Sequence, residues 1–491
     1  MKLLDICRKA GIECPEHLSD IDVKGITSRS NEVKKDYAFV CLEGTKTDGH
    51  SFAEDAIVRG ASVVVIEKEE YKSDKALLVE DTRAALSLMM NAFCGSPTEK
   101  MQFIAVTGTN GKTSVSAMIK NIFDKVNISC ELIGTLNCSS FSPNVLGSQM
   151  NLTTPDPEEL YPMLQRMSAA GIRIVVMEAS SHALSLKKLE PITFEIAIFT
   201  NLTEDHLDFH KTMEDYFSAK LELFKRCRKG IINIDDEYGK RLTKIVPCDI
   251  KTCSIEKLAD YFADNVDSLD EKGSKYELVS KKTSFDMLCR IPGRFSVMNS
   301  MQAAACALEY GIDANYIRDA FDSFFGVLGR LQRVDFFEEL GIVVYIDYAH
   351  TPDALLKLLQ TARPICKREG RLTVLFGCGG DREKEKRKIM GMIAVDNADR
   401  VIVTSDNPRS ENPLDIINDI VSGIKEQKNF VVIPDRRKAI RYAIATAKKD
   451  DVLILAGKGH ENYEINARGK IAFDEVEILR DIKNTMRRNE E

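Results

Sequence analysis

Two kinds of hydrophobic pattern alternate along the chain and together predict an α/β protein. Short apolar runs rich in β-branched residues, such as Ala61–Ile66 and Phe194–Phe199, predict buried strands. Longer segments with apolar residues three or four positions apart, such as 157–170 and 436–447, predict helices. Regular alternation of the two favours largely parallel sheets with helices on both faces.

Breaks in this alternation divide the chain into three predicted domains, 1–97, 98–328 and 329–491. The first is a small α/β unit. The second is a mostly parallel sheet, with a polar, hairpin-like stretch at 251–291 that predicts an antiparallel edge. The third has the strand and helix order of a doubly wound, dinucleotide-type fold, although it contains no G-x-G-x-x-G. The other predicted elements are strands at 38–42, 103–106, 172–177, 343–346, 373–376, 401–403, 431–433 and 452–455, and helices at 52–59, 83–93, 113–123, 213–227 and 352–361.

Composition narrows the class of protein. The 491 residues have a net charge of −7 and no basic block, so neither nucleic acid nor an anionic membrane is an expected partner. No apolar stretch is long enough to cross a bilayer, so membrane insertion is not expected. The 13 cysteines are scattered and form no Cys-x-x-Cys pair, which is typical of reduced thiols in a cytoplasmic protein.

The segment 103–115 has the features of a nucleotide-phosphate loop. A β-branched run ends at Gly108, and Gly111, Lys112 and Thr113 then begin a helix. In such a loop the glycines let backbone N–H groups face the phosphates, the lysine reaches the terminal phosphates and the threonine hydroxyl faces Mg²⁺. Val106 stands where the usual pattern has glycine, so an ordinary strand-to-helix turn is the alternative explanation.

Polar residues follow the next two predicted strands. Glu178, Ser180 and His182 follow one, and Asp205 and His206 lie beyond the other, at the sheet edge where α/β proteins bind ligands. We expect Glu178 to share a Mg²⁺ ion with the phosphate-loop threonine, with His206 a minor ligand, because the spacing matches no zinc motif. The alternative is that Glu178 caps a helix and His182 is a surface histidine.

The third domain has charged residues after several of its strands. Arg382, Asn407, Arg409 and Glu461 are expected on one rim, where two guanidiniums, an amide and a carboxylate suit an amino acid. Helix capping explains Asp406 and Asn407 well, but it does not explain the two arginines. Two other charged features have ordinary explanations: Lys220 as a surface lysine of an amphipathic helix, and the run 383–388 as a solvated helix face.

Taken together, these motifs resemble the Mur ligases of peptidoglycan synthesis. The similarity extends over the whole chain, and 151–155 and 406–409 resemble members that extend UDP-N-acetylmuramoyl-L-alanyl-D-glutamate. The resemblance implies an N-terminal domain that binds the UDP end, a central ATPase domain and a C-terminal domain that delivers the amino acid. It also replaces the surface explanation of Lys220, which matches a lysine that family members carry as a carbamate.

The resemblance assigns roles residue by residue. ATP contacts are implied for Gly108, Thr109, Asn110, Gly111, Lys112, Thr113, Asn299, Arg330 and Asp347. Contacts with the muramoyl peptide are implied for Ser28, Thr153, Thr154, Ser180 and Lys188, the last standing where the family usually has arginine. Mg²⁺ ligands are implied at Thr113, Glu178, His206 and carbamylated Lys220, and catalytic roles at Lys112, Glu178, His206 and Lys220. Amino-acid contacts are implied for Arg382, Asp406, Asn407, Arg409, Gly457 and Glu461.

The implied reaction is ATP-dependent amide bond formation through an acyl phosphate. The pattern Asp-Asn-Pro-Arg at 406–409 favours meso-diaminopimelate as the added amino acid, because Arg409 can bind its second carboxylate. The alternatives are L-lysine as the added amino acid, a folylpolyglutamate synthetase or another Mur ligase, and a non-catalytic nucleotide-binding paralogue. Ser296, Thr27 and Leu328 also depart from the family pattern.

Overall fold

Three α/β units, each built on its own sheet, follow one another along the chain. The structure is a computed structural model that describes residues 1–44, 47–136, 152–424 and 429–490, with the backbone alone for 488–490. This architecture confirms the predicted fold class. In the described part of the chain, no helix combines the length and apolar character needed to cross a membrane. The cysteines of the described ranges are free thiols.

The N-terminal unit is a four-stranded parallel sheet in the order β1-β2-β3-β4. Its apolar strands pack against helices on both faces. Its elements are α1 (Leu3–Ala10), β1 (Gly25–Thr27), β2 (Tyr37–Val40), α2 (Ala53–Val58), β3 (Ala61–Ile66), β4 (Ala76–Leu78) and α3 (Thr82–Phe93).

The central unit is a nine-stranded sheet in the order β13-β12-β11-β10-β9-β8-β5-β7-β6. Its elements are β5 (Gln102–Thr107), α4 (Lys112–Lys125), β6 (Cys130–Ile133), α5 (Pro157–Ala169), β7 (Ile174–Glu178), α6 (Ser181–Ser185), β8 (Phe194–Phe199), α7 (Leu207–His210), α8 (Met213–Lys225), β9 (Cys227–Asn233), α9 (Glu237–Leu242), β10 (Asp249–Ser254), β11 (Tyr261–Ser268), β12 (Ser274–Ser280), β13 (Ser284–Cys289), α10 (Arg294–Tyr310) and α11 (Ala314–Asp322).

Strands β5 to β11 are parallel, and β12 and β13 form the antiparallel edge that the polar stretch predicts. The helix predicted at 213–227 is shorter in the structure, where it ends at Lys225 and Cys227 begins β9. The chain becomes a strand there because β9 is paired on both sides, with β8 and with β10. The central strands β8, β5 and β7 lie side by side, so the loops at their carboxyl ends meet.

The C-terminal unit is a six-stranded sheet in the order β14-β15-β19-β16-β17-β18, parallel except for β14. Buried side chains form continuous clusters that extend from the first unit into the second and from the second into the third. The domain boundaries at 97 and 328 therefore stay a prediction. The elements of the C-terminal unit are β14 (Gln332–Val334), β15 (Val343–Asp347), α12 (Pro352–Ile365), β16 (Leu372–Phe376), α13 (Glu385–Asn397), β17 (Arg400–Val403), α14 (Pro413–Val421), β18 (Phe430–Val432), α15 (Arg436–Thr446), β19 (Val452–Ala456), the hairpin β20 (Tyr463–Asn466) and β21 (Gly469–Ala472), and α16 (Glu475–Glu490).

Candidate active site

The phosphate loop connects β5 to α4 and depends on two glycines. Gly108 has φ +150° and Gly111 has φ +88°, a region that side chains rarely adopt. A Cβ at Gly111 would lie 2.7 Å from Asn299 Oδ1 on α10, so this helix packs directly against the loop. The loop is also tied to β8, because the backbone N–H of Asn110 donates to Asn201 Oδ1 at 2.9 Å. These contacts hold the loop open around the start of α4.

Lys112 turns its ammonium group back over this loop. Its Nζ donates to the carbonyls of Gly108 and Thr109, each at 2.9 Å. Burial lowers the pKa of Lys112, and the nearby carboxylates of Glu178 and Asp205 partly offset that effect. Among the described residues, the bonds of this ammonium group go to neutral carbonyls of its own loop, and an anion could take their place.

Glu178 ends β7 beside the phosphate loop and is fully buried. Its Oε2 accepts from Thr113 Oγ1 at 3.1 Å and from Thr135 Oγ1 at 3.0 Å, and its Oε1 accepts from the backbone N–H of Thr135 at 2.8 Å. The sequence thus placed Glu178 and Thr113 correctly next to each other. No described group of three or more His, Cys, Asp or Glu side chains is arranged to hold a metal ion. A carboxylate and a hydroxyl fit Mg²⁺, which takes its remaining oxygens from phosphate and water.

Three histidines lie together near the start of α6 and around α7. The ring of His182 is 4.9 Å from that of His206 and 5.6 Å from that of His210, so the predicted clustering is present. Burial lowers the pKa of His206 to about 3 and that of His210 to about 4. The His206 side chain is 43% exposed, so solvent moderates its shift, whereas His210 is buried and bonded to Ser181 Oγ at 2.8 Å. The imidazoles of His206 and His210 are therefore neutral at neutral pH.

Lys220 on α8 is buried, with 1% of its surface exposed, so its interpretation as a surface lysine is wrong. Its Nζ donates to Gly108 O at 3.0 Å and lies 4.5 Å from the centroid of the Tyr216 ring. Burial and the positive charge of Lys112 lower the pKa of Lys220 well below its usual value. The amine therefore approaches the phosphate loop from the side of α8, in surroundings that favour its neutral form.

A cleft of 260 Å³ lies between the phosphate loop and the C-terminal unit. Arg330 closes one side of it, donating from Nη2 to Thr113 Oγ1 at 3.3 Å and lying 4.4 Å from the Tyr348 ring. Eleven of the predicted site residues line it: Thr109, Asn110, Gly111, Lys112, Thr113, Thr153, Glu178, His206, Asn299, Arg330 and Asp347.

Sequence reasoning missed the apolar wall of this cleft. This wall is formed near the start of α10 by Ile291 and Phe295, and in the first half of α12 by Ala354, Lys357 and Leu358. In the sequence these apolar residues have helical spacing and are indistinguishable from core positions. The assembled cleft has an apolar end and a charged, phosphate-loop end, which suits a nucleotide.

Most of the residues expected to contact a muramoyl peptide lie along an edge of the central unit between Glu178 and the start of α5, and Ser28 reaches this edge from the first unit. Thr154 Oγ1 donates to Glu178 O at 2.8 Å and lies 3.1 Å from Ser180 Oγ, and Thr153 Oγ1 lies 3.2 Å from Thr135 Oγ1. Asn151, the first residue of that motif, lies outside the described residues.

Two further residues of this group bridge to carboxylates. Lys188 Nζ pairs with Asp156 at 2.7 Å and is buried. Ser28 of the first unit donates from both its N–H and its Oγ to Glu158 Oε1, at 3.0 and 2.6 Å. The edge is therefore rich in hydroxyls and joins two units.

The rim predicted in the C-terminal unit is only partly assembled. Asn407 Nδ2 donates to Glu461 Oε2 at 2.7 Å, and the buried Lys458 donates to Asn407 Oδ1 at 3.0 Å. Arg409 is half-buried and donates from Nη1 to Gly380 O at 2.6 Å. Burial and the neighbouring charge of Arg382 lower the pKa of Arg409. Arg382 is exposed and lies outside the hydrogen-bonded pair of Asn407 and Glu461.

Two buried features organise this pocket. Gly457 has φ +113°, and a Cβ there would lie 2.5 Å from Asp406 Oδ2, so the carboxylate needs the glycine. Arg387 of α13 is fully buried and donates to both oxygens of Glu411, at 2.8 and 2.9 Å, and to Asp419 at 2.9 Å. The interpretation of 383–388 as a solvated face is therefore wrong at Arg387, because two acids at α14 neutralise it inside the fold.

Three family descriptions match successive parts of this chain. "Mur ligase family, catalytic domain" matches residues 22–94, "Mur ligase middle domain" matches 106–307, and "Mur ligase, glutamate ligase domain" matches 329–459. A curated relative, the UDP-N-acetylmuramoyl-L-alanyl-D-glutamate–2,6-diaminopimelate ligase of Clostridium tetani, is 39% identical over 98% of this chain and 99% of its own. The ligase numbered 1 of that name from Clostridium acetobutylicum is 41% identical over 94% of each chain.

Solved structures show the same architecture. A structure of a UDP-N-acetylmuramoyl-L-alanyl-D-glutamate–2,6-diaminopimelate ligase superposes with a TM-score of 0.70 at 31% identity, covering 99% of this chain and all of that one. A MurF ligase of Thermotoga maritima in complex with ADP has a TM-score of 0.62 at 18% identity, covering 97% and 100%, and shows likeness of fold alone. From these family matches and the near-full-length similarity, the chain belongs to the Mur ligase family.

Proposed function

We propose that this protein joins meso-diaminopimelate to the D-glutamate of UDP-N-acetylmuramoyl-L-alanyl-D-glutamate, using ATP. The observation that carries the proposal is similarity of 39–41%, over nearly the whole chain, to ligases that have this name. The geometry supports it, because the phosphate loop, Glu178 and residues of the C-terminal unit line one cleft. In this proposal the first unit binds the UDP end and the third unit delivers the amino acid.

The chemistry must overcome the inertness of a carboxylate toward an amine. Transfer of the γ-phosphoryl group of ATP to the glutamate carboxylate gives an acyl phosphate, which the amine attacks with release of phosphate. Lys112 is proposed to exchange its two loop carbonyls for phosphate oxygens and so to stabilise the charge that develops on them. Arg330 reaches the same place from the other side of the cleft.

Mg²⁺ is proposed to be held by Glu178 and Thr113, with His206 and a carbamate on Lys220 nearby. The buried carboxylate of Glu178, which already accepts from Thr113, is the observation that fits the ion. When bound, Mg²⁺ would supply positive charge that offsets the negative charge of the phosphate oxygens. Carbamate formation requires a neutral amine, and the lowered pKa of Lys220 favours that form. The carbamate would place a negative group where the chain otherwise has an amine beside Gly108.

Selection of the amino acid is proposed to depend on Arg409. Asn407 is bonded to Glu461, Lys458 and the backbone N–H of Ile465, so its role is to fix the pocket. Arg409 uses Nη1 on Gly380 O and has further N–H groups that can bind a carboxylate. Diaminopimelate has a second carboxylate at its far end and L-lysine has none, so the guanidinium favours diaminopimelate.

The dipeptide is proposed to bind along the hydroxyl-rich edge of Thr153, Thr154 and Ser180. Lys188 is held by Asp156, and the charge it keeps can serve the substrate's carboxylates. Ser28 would face the UDP end from the first unit. Lysine lacks the planar fork of arginine, so its contact would be a point charge.

Amino-acid-dependent ADP formation by the purified protein tests the proposal. ATP, Mg²⁺ and the UDP-muramoyl dipeptide are supplied with diaminopimelate or L-lysine, and the product is identified by mass. We expect ADP and a tripeptide product with diaminopimelate. A preference for L-lysine would remove the assignment of the amino acid, and no product with either would remove the ligase function.

A further inference from the structure

An acidic residue of the C-terminal unit reaches across the cleft to the phosphate loop. Asp353 lies in the first turn of α12, and its Oδ2 accepts from Asn110 Nδ2 of the loop at 3.0 Å. The same oxygen accepts from Lys357 Nζ at 2.9 Å and, more weakly, from Thr203 Oγ1 at 3.4 Å. Asn110 and Thr203 belong to the central unit, 243 and 150 positions away in sequence. One carboxylate oxygen thus joins two units.

Helix stabilisation is not enough to explain this acid. α12 already has its N-cap, since the Thr351 side chain accepts from the backbone N–H of Ala354, and Pro352 occupies the first turn. An acid in the first turn adds only about 0.3–1 kcal/mol through the helix dipole. The carboxylate is three-quarters buried and directed at another unit. Its contacts therefore serve the cleft as well as the helix.

The backbone polar atoms of Asn110 are bound within the central unit. Its N–H donates to Asn201 Oδ1 at 2.9 Å, and its carbonyl accepts from Thr200 Oγ1 and from Asn201 Nδ2 at 3.1 Å. The bond to Asp353 fixes the direction of the side-chain amide. Lys357 also lines the cleft, so Asp353 holds both an amide and an ammonium group at its wall.

We propose that Asp353 is a positioning residue that sets the phosphate loop for phosphoryl transfer only while the C-terminal unit is docked against it. The inference rests on the proposed function, in which that unit delivers the amine. Since Asn110 loses Asp353 when the units separate, whereas Lys357 moves with Asp353 on the same helix, the acyl phosphate forms mainly when the C-terminal unit and its amine are in place. Water then has less opportunity to hydrolyse it.

The test compares Asp353→Ala with Asp415→Ala. Asp415 is an exposed first-turn acid of α14, another proline-initiated helix of the same unit, and is a matched control for the helix effect. We expect kcat for ligation to fall about tenfold in Asp353→Ala with KM for ATP changed less than about threefold, and both to stay near wild type in Asp415→Ala. Equal loss in the two variants overturns the inference.

A double-mutant cycle identifies the partner through which Asp353 acts. In an Asn110→Ala background, adding Asp353→Ala should lower kcat by less than about threefold, because the bond is already absent. A full tenfold loss in that background would mean that Asp353 acts independently of the loop and overturns the inference.

Hydrogen exchange separates this inference from the ligase function, since it needs no turnover. Asp353→Ala should speed exchange in the peptide 107–115 of the full-length protein, and Asp415→Ala should not. If wild type makes no tripeptide, the proposed function fails, and the exchange comparison still tests the contact. Unchanged exchange in Asp353→Ala overturns the inference.

Discussion

The nucleotide cleft and the amino-acid pocket treat their charges in opposite ways. In the cleft, Lys112 is bonded to neutral carbonyls, and its nearest carboxylates only partly compensate for burial. In the pocket, the fully buried Lys458 lies 3.8 Å from Asp406 and 3.6 Å from Glu461, and it also donates to Asn407. The cleft is thus prepared for an incoming anion, whereas the pocket is already neutralised by its own side chains.

This difference indicates where each site derives its function. A cation without a full counter-charge gains most when phosphate arrives and when charge grows in the transition state. The paired side chains of the pocket gain little electrostatic stabilisation when a ligand binds, but they fix the shape of the pocket. Discrimination between amino acids therefore depends on Arg409, at the edge of this network. Removing a cation of the cleft should therefore reduce turnover, and removing Arg409 should reduce use of one substrate.

The largest effect is expected from Lys112→Ala. Loss of the ammonium group that faces the phosphates should lower kcat about 1,000-fold or more, since the loop backbone alone remains. Steady-state phosphate release with all three substrates measures it. Lys125→Ala, at the exposed far end of α4, is the control and should keep wild-type turnover. A loss below tenfold in Lys112→Ala would mean that the cleft does not depend on this cation.

Lys220→Met should lower kcat about 100-fold if the lysine is carbamylated, because a metal-side negative group is lost. A readout besides turnover is the carbamate carbon signal by NMR after incubation with ¹³C-bicarbonate, expected in wild type and absent in the variant. Lys225→Met, at the exposed end of α8, is the matched control. A wild-type protein without the signal would leave Lys220 as a buried amine.

Arg409→Ala should separate the two sites. Loss of a charge-assisted carboxylate contact should raise KM for diaminopimelate about 100-fold, while the Kd for ATP changes less than about twofold. Kinetics with varied diaminopimelate and calorimetry with ATP measure the two constants. Arg441→Ala, exposed on α15, is the control for loss of a surface guanidinium. Equal weakening of both ligands would contradict the division between cleft and pocket.

The sequence predicts the cleft better than the pocket for a physical reason. Residues 108–113 are contiguous and follow a strand, and Glu178 ends the neighbouring strand, so topology alone brings them together. The pocket is assembled from loops after β16, β17 and β19. Its order depends on side chains such as Arg387, whose buried contacts with two acids have no local sequence signal.

Burial of charge is the other property that sequence pattern could not supply. Lys220 has the spacing of a surface residue on an amphipathic helix, and only the packing of α8 under the phosphate loop makes it buried. Asp353 likewise has the position of an ordinary first-turn acid. Its contact with Asn110 exists only because two units meet at the cleft. In both cases a residue far away in sequence decides the role of the side chain.

The smallest effect is expected from His210→Gln, which tests how the wall beside the cleft responds to pH. The folded pKa of His210, about 4, lies below the value of about 6.5 that an unfolded histidine has, so its stabilising contribution is complete above pH 6.5 and is lost as pH falls toward 4. At pH 5 the free energy of unfolding of the wild type should be lower by about 2 kcal/mol because of the titration of His210. Glutamine keeps a hydrogen-bonding group near Ser181 but does not titrate, so the fall in melting temperature between pH 7 and 5 should be smaller by about 2–4 °C. The exposed His17→Gln is the control, and an unchanged pH dependence in His210→Gln would show that this imidazole does not set the acid response.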